Sequence, residues 1–117
     1  MWTYSQETGN LDRDGDPVGV GYSGTGEGRN NPDMQDVPDT GPLPRGAYTI
    51  GEPHDTATHG PYVLRLTPCD DSMMCGRAGF LVHGDNSRHD ASHGCIILPR
   101  AIRETIWQSG DTALTVV

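Results

Sequence analysis

The sequence contains no stretch approaching the roughly 20 consecutive apolar residues of a membrane-spanning helix, and hydrophobic residues fill only 33% of its 117 positions. Long helix-forming runs are scarce. Positive charge is also in short supply: eight basic residues stand against sixteen acidic ones, for a net charge of −8. That balance argues against nucleic acid and anionic membrane surfaces as partners, because both favour basic patches. It leaves a small peptide substrate open, since an acidic protein can still carry a local basic pocket. Met1 to Asn10 lacks a basic region followed by an apolar run, so it does not read as a secretory signal. A substrate outside the cytoplasm would then require another route of delivery.

What is abundant is turn-forming. Sixteen glycines and nine prolines predict short strands joined by many turns. The length suits one domain, residues 1–117, with no room for a second core. Alternation predicts strands at Trp2 to Gln6, Val18 to Tyr22, Ala47 to Ile50, Tyr62 to Leu66, Gly79 to His83 and Thr112 to Val117. Leu11 to Arg13 is placed to pair back across Asp14-Gly15, a tight-turn signal. Pro99 suits the first turn of a helix. Ile102, Ile106 and Trp107 have helical spacing over Ala101 to Gln108, and Gly110 is a stop signal. Ser23 to Pro44 is poor in apolar residues and reads as a long functional loop or a disordered surface excursion.

Three cysteines leave at least one unpaired within a monomer. Cys69 and Cys75 are close together in a polar segment, and spacing leaves a disulfide between them open. Cys95 stands in a different setting. The strand ending at His83 is followed by a polar loop, Gly84 to Gly94, that leads directly into Cys95, twelve positions after His83. A thiol attacks as its thiolate, and a nearby imidazole can take its proton. Gly94 permits an unusual backbone angle just before the cysteine. Main-chain N–H groups of Gly94 and Cys95 are then candidates for an oxyanion hole.

His83-Gly84 followed by Ser92-His93-Gly94-Cys95 resembles the catalytic signature of the L,D-transpeptidase (YkuD-type) superfamily. Tyr22-Ser23-Gly24-Thr25-Gly26 is similar to that family's strand and Ser-Thr-Gly turn. Gly41-Pro42-Leu43-Pro44-Arg45-Gly46-Ala47-Tyr48-Thr49-Ile50 is similar to its Thr-Pro-x-Gly-x-Tyr-x-Ile stretch. Taken whole, the chain looks like the compact L,D-transpeptidase effectors delivered by type VI secretion. The resemblance implies a mainly β, YkuD-like L,D-transpeptidase β-sandwich with one short helix. It implies Cys95 as nucleophile and His83 as general base, with the Gly84 carbonyl orienting the imidazole. Ser92, His93 and Gly94 would shape the nucleophile loop and oxyanion hole. Arg77, Arg100, Tyr22 and Ser23 are the candidate substrate contacts, the two arginines for stem-peptide carboxylates.

The implied substrate is the peptidoglycan stem tetrapeptide, cut after its third residue with release or exchange of D-alanine through a Cys thioester, and no cofactor is implied. The implied partners are a secretion apparatus and a cognate immunity protein, and the implied place of action is the periplasm of target bacteria. Two other readings remain open. His83, His89, His93 and Cys95 form a mixed nitrogen and sulfur set that suits zinc, with Asp85 and Asp90 available as a carboxylate base. A non-catalytic wall-binding module is the other, and an intact cysteine and histidine pair argues against it.

Overall fold

The computed structural model describes residues 1–117. It contains nine strands and one α-helix. The first strand, β1 (Trp2–Tyr4), turns Trp2 and Tyr4 inward. Strands β2 (Asn10–Arg13) and β3 (Asp16–Val20) form a hairpin. Its turn residues Asp14 and Gly15 both have positive φ, 50° and 88°, the geometry that a tight two-residue turn demands. Then come β4 (Tyr22–Ser23), the long hairpin of β5 (Gly46–Thr56) and β6 (Gly60–Pro68), and β7 (Leu81–His83). The chain ends with β8 (Ile96–Ile97), α1 (Arg100–Gln108) and β9 (Ala113–Val116). The mainly β fold with one short helix is therefore as the sequence implied. No helix is long and apolar enough to cross a membrane.

All nine strands belong to one sheet, in the order β3-β2-β1-β9-β5-β6-β7-β8-β4. Laid flat, so many strands would span about 38 Å, yet the longest dimension of the molecule is 32 Å. The sheet must therefore curl, and the chain shows how. Its two edge strands, β3 and β4, are separated by the single residue Gly21. The edges meet there, and the sandwich is one sheet folded back on itself. The sequence reads Val18 to Tyr22 as one strand; the structure breaks it at Gly21, where the chain leaves one edge for the other. The crossing is tight. A Cβ on Gly21 would lie 2.1 Å from the Ile97 carbonyl oxygen, and the Gly21 amide donates to the Gly9 carbonyl at 2.9 Å.

One buried cluster fills the fold. It takes Trp2, Tyr4 and Leu11 from one end of the strand order and Val82 and Ile96 from the other, with Tyr48, Leu64 and Leu114 between. Fully burying a side chain such as Leu64 contributes about 2 kcal/mol. The helix adds Ile106, with Ile102 and Trp107 partly buried beside it. It also buries Arg103, which periodicity did not single out. That guanidinium donates to the carbonyls of Leu98, Pro61 and Tyr62 at 3.1, 2.8 and 2.7 Å.

Two expectations are refined. The segment from Ser23 to Pro44 is not a disordered excursion. It contains short 3-10 turns at Gly26–Gly28 and Pro32–Met34, and it buries Leu43 completely. The strand at Ala47 to Ile50 runs on to Thr56, with register breaks near Pro53 and Asp55. The three cysteines are free thiols, and no Cys69–Cys75 bridge is present.

Overpacking at a backbone crossing costs about 1–3 kcal/mol. Gly21→Ala should therefore lower the free energy of unfolding by that amount. Gly51→Ala, whose new Cβ would approach nothing closer than 3.4 Å, should leave it nearly unchanged. Equal effects in chemical denaturation would refute the closure at Gly21.

Candidate active site

The parallel pairing of β7 and β8 creates the site. Val82 lies opposite Ile96 and His83 opposite Ile97. Val82 and Ile96 both point into the core. Side chains alternate along a strand, so His83 and Cys95 emerge on the other face, diagonally across the parallel pair, with Cys95 level with Leu81 and two positions from His83. Both line one open cavity of about 260 Å³, together with Arg77, Phe80, His59 and His93.

His83 is buried, and its Nδ1 lies 2.9 Å from the Gly84 carbonyl. A carbonyl only accepts, so Nδ1 carries the proton and Nε2 keeps a free lone pair. Burial pushes the imidazole below the ordinary histidine range. The Gly84 contact and Asp85 act against that shift, while His59 and Arg103 reinforce it. Cys95 is half-buried, with its sulfur 3.9 Å from the Gly79 carbonyl. Burial raises the thiol, and the Leu81 amide and the Arg77 guanidinium partly offset this by favouring the thiolate. No hydrogen bond joins His83 to Cys95 directly. Near neutral pH the pair is therefore uncharged, a protonated thiol facing a neutral imidazole.

Two buried serine hydroxyls hold the segment before Cys95. Ser92 Oγ accepts from the amides of Gly24 at 2.9 Å and Gly94 at 3.2 Å, and donates to the Cys95 carbonyl. Ser23 Oγ accepts from the Leu43 amide at 2.8 Å and donates to the Gly94 carbonyl at 3.2 Å. Gly94 has φ 130°, which disfavours any side chain, and a Cβ there would sit 2.2 Å from an Arg77 guanidinium nitrogen.

Several sequence expectations change. Ser23 is fully buried with its hydroxyl engaged, so it braces the loop and offers nothing to a substrate. Tyr22 is also buried; its hydroxyl donates to Asp85 Oδ1 at 2.6 Å and accepts from the Ala91 amide at 3.0 Å, which pins the loop between His83 and Cys95. Arg100 lies outside the cavity, on the exposed side of α1, paired with Glu104 at 3.4 Å and stacked over Tyr62. Arg77 does line the cavity, and three of its five N–H donors go to the carbonyls of Gln35 and Pro42, both at 2.7 Å, and Gly41 at 3.0 Å. The Gly94 amide is taken up by Ser92, which leaves the Cys95 amide as the unengaged N–H of the two proposed for an oxyanion hole.

His93 is exposed at the cavity wall and makes no hydrogen bond within the chain. His89 points away, its Nδ1 2.8 Å from Asp85 Oδ2 and its side chain 74% exposed. No three His, Cys, Asp or Glu side chains converge as a metal site requires, so the mixed donor set read from the sequence does not assemble. Sequence reasoning missed His59. It sits in the turn between β5 and β6, far along the chain from the motif, and no spacing ties it to His83.

The fold has a counterpart among solved structures. The chain superposes on the crystal structure of Mycobacterium tuberculosis L,D-transpeptidase 1 with a TM-score of 0.53, at 18% identity, over 100% of this chain and 60% of that one. At that identity the likeness shows the fold, and the chain spans less than two thirds of that protein's length. No curated protein matches the chain. A family model described as the Tlde1 domain matches residues 19–114, which takes in β4 through the first half of β9 and both His83 and Cys95. Matched over well more than half of its length, the chain belongs to the Tlde1 domain family.

Proposed function

We propose that this chain is an antibacterial effector acting on peptidoglycan, a cysteine L,D-carboxypeptidase and L,D-transpeptidase with Cys95 as nucleophile and His83 as general base. The observation that carries this reading is the pairing of β7 with β8. It sets a free thiol and an imidazole with an available Nε2 on one face of one cavity. The family match and the fold support it.

The stem tetrapeptide lies in the cavity with the carbonyl of its third residue against Cys95. His83 Nε2 takes the thiol proton as sulfur attacks, and a C–S bond forms. The oxyanion faces the Cys95 amide. The imidazolium then gives its proton to the departing nitrogen, the C–N bond breaks, and D-alanine leaves. A thioester remains. Water, or the amine of a D-amino acid or second stem, gives its proton to His83 and attacks the thioester carbonyl, and the C–S bond breaks. Cys95 recovers its proton from His83. No step requires a cofactor. The proposed setting is the periplasm of target bacteria, reached through a secretion apparatus, with a cognate immunity protein in the producer.

Muropeptide mass spectrometry after incubation with the protein tests the reaction. Conversion of tetrapeptide to tripeptide, or to stems with an exchanged terminal residue, is the expected signature. Cys95→Ala should abolish it while the fold persists, and His83→Ala should lose on the order of 100-fold or more. His89→Ala should keep its rate, and chelator should leave the wild type untouched. A dead His89→Ala together with chelator inhibition would instead favour a zinc hydrolase.

The acidity of His83 sets the pH range. The base must be neutral to act, and burial disfavours its charged form. Activity should therefore persist as pH falls through the ordinary histidine value of about 6.5 and fail only below it. An acid limb of kcat/KM above that value would contradict the buried neutral base.

Location gives a separate check. Carried to the periplasm of a Gram-negative host by an added signal, the protein should be toxic. Kept in the cytoplasm, where mature stem peptides are not found, it should be much less so. Equal toxicity from both compartments points to a different target.

A further inference from the structure

The hairpin of β5 and β6 ends at Thr58-His59-Gly60, and this tip reaches the site from outside the catalytic motif. The His59 and His83 rings face each other with centroids 4.7 Å apart and planes tilted by 53°. His59 is held there by two contacts: its amide donates to Thr56 Oγ1 at 2.7 Å, and its Nδ1 lies 2.9 Å from Thr58 Oγ1. A second, more polar cavity of about 600 Å³ opens on the other side of the tip. The wall between the two cavities contains His59, His83 and His93. An imidazole seated on the face of a buried base is in a position to act through it.

We propose that His59 is a positioning residue for the reaction, which packs on the His83 ring and, when protonated, disfavours a second positive charge there, so that the base stays neutral and free to accept the Cys95 proton. This rests on the reading of His83 as the base. Every charged or titratable neighbour of His83 can be named. His59 faces it from the hairpin tip, Arg103 from α1 and Asp85 from its own loop, while Cys95 and His93 share its cavity. On the far side, His59 borders the polar cavity that holds Arg88 and Asp90. Arg103 and a protonated His59 both oppose charging of His83, and Asp85 favours it. Arg103 is fixed in charge and engaged with backbone carbonyls. His59 is exposed at the hairpin tip and, unlike Arg103, holds no backbone carbonyl with its side chain, so it can be replaced without unpinning a loop. Removing it leaves Asp85 less opposed, so His83 should protonate at higher pH.

The test follows the His83 Cε1–H resonance by NMR in the full-length wild type, His59→Gln and His59→Phe, with His83→Gln for assignment. D-alanine release from a tetrapeptide stem is measured across pH for the same proteins and for His83→Ala. Unit charges this close shift each other's titration by about half a pH unit even under water-like screening. The His83 midpoint should rise by that amount in both His59 variants, since phenylalanine keeps a ring but loses the charge. The acid limb of kcat/KM should rise with it, and at pH values well below the His83 midpoint kcat/KM should fall by about 3-fold. A His83 midpoint that stays put in His59→Gln overturns the inference, whatever the role of His83. So does a midpoint that rises while the acid limb stays put. If His83→Ala keeps its turnover, the base assignment itself is wrong, and the NMR shift identifies that failure separately.

Discussion

Everything in the site depends on the chain crossing from one edge of the sheet to the other at Gly21. A curled sheet of nine strands has two edges to reconcile, and here they are joined by one residue with no room for a side chain. The crossing delivers Tyr22 and Ser23 to the last strand, antiparallel to Ile96 and Ile97 and next to Cys95. From there Ser23 holds the Gly94 carbonyl, and Ser92 gathers the Gly24 and Gly94 amides around its own hydroxyl. Each hydroxyl both donates and accepts, which is why two small side chains can satisfy several buried backbone groups at once. Leaving such a group unpaired costs about 1–3 kcal/mol. The backbone at Cys95 is thus fixed by the closure of the fold.

Loops are the second difficulty, because the walls of the cavity are loop and a chain this polar cannot bury them in apolar contacts. Arginine supplies the order instead. All eight basic residues are arginine, and three of them donate to backbone carbonyls across long sequence separations. Arg77 gathers Gln35, Gly41 and Pro42; Arg103 gathers Pro61, Tyr62 and Leu98. Arg29 stacks on Tyr22 at 3.8 Å while donating to the His89 carbonyl at 2.9 Å. A guanidinium has five N–H donors in a fixed plane, so it can serve several carbonyls where an ammonium offers only a point charge. Ordering by hydrogen bonds explains how Ser23 to Pro44 can be low in hydrophobic residues and still be a defined wall.

The sequence made the strands legible where alternation was strong, as at Tyr62 to Leu66, and it made the His83 and Cys95 pairing legible because the motif is compact. It hid what depends on distant partners. The strand reads as Ala47 to Ile50 alone, with Gly51 and Pro53 just beyond it, but pairing with β6 carries it through to Thr56 on two register breaks. Ser23 and Tyr22 read as exposed substrate contacts since nothing local tells a small polar residue that it will be buried. Arg77 reads as a candidate carboxylate contact, and only the fold reveals that three of its five N–H donors already serve backbone carbonyls. His59 was invisible because the hairpin that brings it to His83 is defined by pairing in β5 and β6 and by nothing near the motif.

The charge of the site then makes sense against the charge of the chain. A protein at −8 would repel an anionic stem peptide at long range. Within the cavity the balance is reversed: Arg77 forms one wall, Arg103 stands behind the base, and His59 and His93 line the rim, with Asp39 as the carboxylate among them. The arginines are anchored to carbonyls, which are neutral, so their charge is oriented but not cancelled. That uncancelled charge has two effects with one sign. It favours the developing thiolate at Cys95, and it disfavours protonation of His83. Burial works against the thiolate and with the neutral imidazole. The two together produce a thiol and an imidazole that are both uncharged at rest; in the proposed reaction the proton then moves only when a carbonyl is present to receive the sulfur, and an exposed thiolate is not left waiting for oxidants or stray electrophiles.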